Sequence, residues 1–138
     1  MGQILAIDYG KARCGIAATD DMQIIASGLD TVETKVVLEF LKKYSIENKV
    51  DEMVVGQPVD LKGNMSEVET DILKFIENFK KEFPNIPVHR FDERFTSKMA
   101  SFFISQSGKS KKQRQEKALI DKVSATIILQ NFLEQKAR

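Results

Sequence analysis

The stretch ILAIDYGKARCGIAATD, residues 4–20, decides the fold. Ile4-Leu5-Ala6-Ile7 is apolar without alternation, which predicts a strand over residues 3–8 buried on both faces. That strand ends on a carboxylate, Asp8. Residues 9–13, Tyr-Gly-Lys-Ala-Arg, read as a turn in which Gly10 supplies backbone freedom. Residues 14–19 read as a second strand, and the short connection predicts an antiparallel hairpin. A buried charge is costly unless it is paired or bound to a metal. Asp8 therefore either accepts backbone N–H groups in the turn, a common task for Asp, or serves a ligand.

Downstream, MQIIASGLDTV at 22–32 reads as a third strand, weakened by Gly28. Helical spacing begins near Glu33, with Val36, Val37, Phe40 and Leu41 on one stripe. VDEMVVG at 50–56 ends as a short buried strand, and QPVDLKGN at 57–64 is a loop broken by Pro58 and Gly63-Asn64. Ser66 and Glu69 form a capping-box pattern for the next helix, whose stripe is Val68, Ile72, Phe75, Ile76 and Phe79. VHRFDER at 88–94 alternates until Asp92-Glu93-Arg94. Thr96 or Ser97 caps a third helix carrying Met99, Phe102 and Phe103. After a basic stretch at 107–117, a last helix runs from about Ala118 to Gln135. Helices between later strands imply parallel pairing, and the early hairpins imply antiparallel pairing. The expectation is an α/β domain spanning residues 1–138, with a mixed five-stranded central sheet flanked by helices.

The chain has 138 residues, 42% of them hydrophobic and 30% charged, with a formal net charge of +1. Such a balance suits one compact globular domain and puts any nucleic-acid affinity in a local patch. Cys14 is the single cysteine and His89 the single histidine. No intramolecular disulfide can form, and no Cys/His zinc cluster is available. There is no apolar run long enough to span a membrane and no signal-type N-terminus. Met1-Gly2 lacks the Ser or Thr that myristoylation needs at the sixth position, where Ala6 stands. These features predict a cytoplasmic protein without membrane partners.

Three acids stand where acids are unexpected. Asp8 ends the central strand. Glu93 ends another, where ligands of parallel sheets bind; as a plain surface group it would pair with Arg94 or a lysine. Asp121 shares a helix side with Ala125, Ile128 and Phe132, which should face the sheet; otherwise it is a helix-start acid favoured by the macrodipole. Ser124 and Ala125 are small enough to let that helix approach closely. If the three acids converge, they form an oxygen-only site suited to Mg²⁺ or Mn²⁺. Two such ions roughly 3.5–4 Å apart clamp both oxygens in phosphodiester cleavage. Lys109, Lys111, Lys112, Arg114 and Lys117 form either a solvated loop or a phosphate grip beside the metals.

These residues resemble the YqgF family, also called RuvX, described as Holliday junction resolvases and pre-16S rRNA nucleases with a ribonuclease H-like fold. The resemblance covers nearly the whole chain through LAIDYGKARCGIA at 5–17, VVGQPVDLKGN at 54–64, FDERFTS at 91–97 and LIDKVSATIILQNFL at 119–133. It implies a metal-dependent nuclease site in which Asp8, Glu93 and Asp121 are the catalytic metal ligands, with two Mg²⁺ or Mn²⁺ ions. Gly10, Arg13 and Arg94 would join the basic segment in contacting nucleic acid. Cys14, Gln57 and Ser124 depart from the usual aliphatic, Leu and Ala, and none removes an acid. The implied substrate is precursor rRNA, in the company of ribosome-assembly partners. Rival readings are a DNA junction resolvase, which would need paired sites in a dimer, an ATP-binding phosphotransferase of the actin and sugar-kinase type, and a non-catalytic nucleic-acid-binding module.

Overall fold

The computed structural model describes residues 1–58, 67–92 and 113–136, with side chains in the last stretch from Lys122 onward. Its elements are β1 (Gln3–Tyr9), β2 (Arg13–Thr19), β3 (Ala26–Glu33), a 3₁₀ turn (Thr34–Val36), α1 (Val37–Glu47), β4 (Val50–Gln57), α2 (Glu69–Glu82), β5 (Val88–Asp92) and α3 (Gln113–Lys136). The strands form one sheet in the order β3-β2-β1-β4-β5. β1–β2 and β2–β3 are antiparallel, whereas β1–β4 and β4–β5 are parallel. The expected α/β architecture with a mixed five-stranded sheet is what forms. The expected helix carrying Met99, Phe102 and Phe103 lies outside the described residues.

β1 is central because both its faces are apolar, and each face has its own core. Leu5 and Ile7 join Ile16, Met53 and Val55 under Leu41, Ile72, Phe75 and Phe79 of α1 and α2. Ile4 and Ala6 join Ala17 and Val54 under Ala125, Ile128, Leu129 and Phe132 of α3. The second face is lined with small residues, so α3 sits close. A Cβ at Gly28 would come within 2.7 Å of Lys122 Cγ. At its far end Lys136 pairs with Glu52, which also holds His89 at 2.9 Å, and the His89 ring lies 5.1 Å from that of Phe132. α3 thus crosses the sheet from β3 to the starts of β4 and β5.

Three boundaries differ from the sequence reading. The third strand begins at Ala26, not Met22. The Asp20 carboxylate accepts from the backbone N–H groups of Ile24 at 2.8 Å, Ile25 at 2.9 Å and Met22 at 3.3 Å, and so builds a turn from an apolar run. Gln23 takes φ 58° there. The bonds from Ile25 and Ile24 hold the Asp20 carboxyl below its usual range. α3 begins at Gln113, five residues before the expected 118. α2 has Val68 as its N-cap with no side-chain cap bond, and Ser66 lies outside the described residues. The Glu69 carboxylate pairs with Arg90.

Arg90 is a clamp at the C-terminal end of β4. Its guanidinium donates to Glu69 Oε1 at 2.7 Å and Oε2 at 2.9 Å, to Val55 O at 3.2 Å and to Gly56 O at 3.1 Å. One planar fork thus ties β5 to the end of β4 and the start of α2. Both side chains are mostly buried, so breaking the pair strands a charge. Arg90→Met should lower unfolding free energy by about 2–3 kcal/mol, and Arg90→Lys should recover little of it, since an ammonium cannot span all four acceptors. Urea unfolding of the three proteins checks this. Equal stability of the Lys variant and the parent would show that charge alone suffices.

Ser124 makes the opposite case. Its Oγ is buried and finds no hydrogen-bond partner among the described residues. An orphaned hydroxyl costs desolvation with no return, and Ala has higher helix propensity. Ser124→Ala should stabilise the chain by about 1 kcal/mol, read as a rise in Tm.

Candidate active site

Strand alternation puts Asp8 on the α3 face, two residues beyond Ala6, and half-buried. Its antiparallel partner across the β1–β2 pair is Gly15. On the other side, Ala6 pairs with Val54 of β4, and the next β4 residue on that face is Gly56. Glycine in a strand interior gives up packing and often marks a close approach of another group. Here both strands beside Asp8 carry one at the adjacent position of its face. The sequence reading passed over Gly15 and Gly56; their place inside apolar strands was the available signal.

The turn that follows is fixed from within. Gly10 N–H donates to Arg13 O at 2.9 Å, and a Cβ at Gly10 would meet that oxygen at 2.6 Å. The close approach that Gly10 permits is therefore to its own hairpin. Thr34 at the head of the 3₁₀ turn donates through Oγ1 to Gly10 O at 2.6 Å and through its N–H to Ala12 O at 3.0 Å. Cys14 Sγ lies 3.4 Å from Thr34 Oγ1. Thr34 was not singled out from sequence, because its task depends on a contact 24 residues away. Arg13 opens β2 at the surface, paired in register with Glu33.

α3 brings the third acid's backbone to the same face. Asp121 precedes Lys122, whose stem lies against Gly28. Gly28 pairs with Ala17, and Ala17 with Ala6, so this row lies two residues along β1 from Asp8. One turn further along the helix, Ala125 is fully buried against the sheet. Arg114 and Lys117 belong to the first turns of α3 rather than to a loop. Glu93 follows the last residue of β5 in sequence and, with Arg94, Lys109, Lys111 and Lys112, lies outside the described residues. Among the described residues no three His, Cys, Asp or Glu side chains gather as a metal site, and no helix is long and apolar enough to cross a membrane.

Residues 2–135 match the family described as RuvX, Holliday junction resolvase. A protein of Flavobacterium psychrophilum named "Putative pre-16S rRNA nuclease" is 50% identical over 136 residues, 99% of each chain. Similarly named proteins of Flavobacterium johnsoniae and Porphyromonas gingivalis are 52% identical over 99% of each chain and 46% identical over the full length of both. Among solved structures, RuvC of Thermus thermophilus in complex with a Holliday junction substrate superposes with a TM-score of 0.58 at 13% identity, over 98% of this chain and 96% of that one. Another structure of that RuvC gives 0.52 at 14% identity. These likenesses fix the fold as ribonuclease H-like. The chain belongs to the RuvX family of nucleases.

Proposed function

We propose that this chain, as one domain, is a cytoplasmic metal-dependent endonuclease acting on precursor 16S rRNA in the maturation of its 5′ end. The observation that carries the reading is the position of Asp8. It ends the central strand between two glycine-bearing strands, on the face that α3 covers, with the Asp121 backbone near the same row.

The donor chemistry fits Mg²⁺ or Mn²⁺. Asp8, Glu93 and Asp121 supply oxygen only, the choice of hard cations. The softer ligands are committed elsewhere: Cys14 lies in the core under α1 and α2, and His89 holds Glu52 near the start of β5. When bound, such ions supply charge neutralisation at the phosphodiester and a more acidic attacking water. The chain's own part is to present the three carboxylates. Glu93, which follows β5 directly, completes the set with Asp8 and Asp121. Arg13, Arg94, Lys109, Lys111, Lys112, Arg114 and Lys117 bind phosphates of the strand, which gives affinity without sequence preference. Gly10 keeps the hairpin tight. The RNA preference rests on the names that the relatives carry.

Asp8→Asn should abolish cleavage of precursor rRNA and keep the fold, since it preserves shape and removes only charge. In EDTA its Tm should equal or exceed that of the parent, because close carboxylates repel one another. A large drop in Tm would make Asp8 structural. Symmetric nicking of four-way DNA junctions by a dimer, with precursor RNA left uncut, would move the junction reading to first place.

Metal binding is read separately from activity. Mg²⁺ or Mn²⁺ should raise the Tm of the parent, because it binds the assembled site and not the unfolded chain. Asp121→Asn should lose most of that shift. An equal shift in both proteins would put the metal elsewhere.

A further inference from the structure

The C-terminal end of β1 opens on a second space. On the sheet face opposite Asp8, between the 3₁₀ turn, α1 and α2, lies a cleft of about 320 Å³. Tyr9 and Phe75 form its aromatic wall, with ring centroids 5.3 Å apart and planes tilted by 38°. Lys35 reaches it from the 3₁₀ turn, and Lys74 and Asn78 from exposed positions on α2. Asp71 completes that side.

We propose that this cleft holds one unstacked nucleotide of the substrate strand, its base against the Tyr9 and Phe75 rings and its phosphates beside Lys35 and Lys74. The proposal deepens the nuclease reading above and rests on it, because that reading gives a strand reason to cross the end of β1. Consecutive residues of a strand point to opposite faces. Asp8 therefore serves one side of that edge and Tyr9 the other, one residue apart.

The chemistry of the cleft selects a nucleotide over a bare anion. Every base presents a π-face to an aromatic wall, so stacking needs no particular sequence. Asp71 would repel a free phosphate, but it can accept from an exocyclic amino group, while Asn78 offers both a donor and an acceptor. Among the described residues Lys35 is held by an exposed pair with Glu33 at 3.2 Å, a weak contact that a phosphate can replace. The volume matches the lower end of small-ligand sites and has no room for a base pair. Bases inside a duplex are already stacked and paired. The strand must therefore be single-stranded beside the cleavage position.

The test reads binding in an Asp8→Asn background, so that no cleavage intervenes. Fluorescence anisotropy would follow a single-stranded RNA oligonucleotide in which an abasic position is walked along the chain. One abasic position should weaken Kd about tenfold. Tyr9→Leu, which keeps apolar bulk, should cost a similar factor on the intact oligonucleotide and nothing further on that abasic one. Lys74→Gln should weaken both alike and flatten the salt dependence. Should Tyr9→Leu fail to fold, Asn78→Ala on the exposed side of α2 carries the same coupling measurement. The proposal is overturned if no abasic position couples to the cleft, or if the cleft variants weaken a fully paired duplex equally. Binding of 5′-AMP as tight as that of the oligonucleotide would mark a free-nucleotide site and overturn it too. An Asp8→Asn enzyme that still cleaved would sink the acid assignment while leaving this coupling readable.

Discussion

β1 is buried on both faces through Ile7 and must then stop within two residues. The stop is enforced by one hydrogen bond, Gly10 N–H to Arg13 O, at a spacing that admits no Cβ. Thr34 braces the same turn from the 3₁₀ segment through Gly10 O and Ala12 O. Were the turn looser, the β1–β2 register could slip, and a slip of one residue exchanges the two faces of a strand. Asp8 would then enter the aromatic core under α2, and Tyr9 would move to the face of α3. The chemistry of both faces thus depends on a bond that belongs to neither.

The two ends of the sheet are built differently. At the N-terminal ends of the parallel strands, polar groups are spent on one another. The β1–β4 register shifts at Gln3/Ile4 and passes over Asp51. Thr19 Oγ1 then accepts from Ile4 N–H at 2.9 Å, and Asp51 accepts from Gly2 N–H at 2.8 Å and Gln23 Nε2 at 3.2 Å. Glu52 gathers His89 and Lys136. Each of these contacts ties sequence-distant elements together. At the other end, the positions beside Asp8 are glycines. The contacts at that end come from Arg90, which ties the end of β4 to α2, and from Thr34, which braces the β1–β2 turn.

Much of this was legible because β1 carries an unambiguous signal. Four consecutive apolar residues before an acid, a turn and a second apolar run set the centre of the sheet, and helices between later strands set the parallel half. Asp8 stood out for its chemistry, and the helix spacing that put Ala125, Ile128 and Phe132 on one side agrees with the burial of those three. What failed were choices that local pattern cannot make. Met22, Ile24 and Ile25 look like strand, but the Asp20 carboxylate captures their N–H groups and leaves the three side chains more than 60% exposed. The N-cap of α2 is Val68, without a side-chain cap bond, and Glu69 pairs with Arg90, 21 residues away and invisible to a four-residue motif. The early start of α3 was missed because polar, basic residues at 113–117 carry no apolar stripe to mark a helix.

Packing decides where α3 sits. A long helix with a weak apolar stripe gains little from propensity alone, and most helical stability in proteins comes from packing. Its seat on the sheet includes Ala6, Ala17 and Gly28 beside Ile4 and Val54. Small residues forgo buried area per contact, but they let backbones approach closely, and close packing tolerates little sliding. Lys122 adds its aliphatic stem to that contact against Gly28, as long charged side chains do when only the head needs water. A helix seated this way is fixed in position along its axis. Asp121, one residue before Lys122, takes its backbone position from that packing.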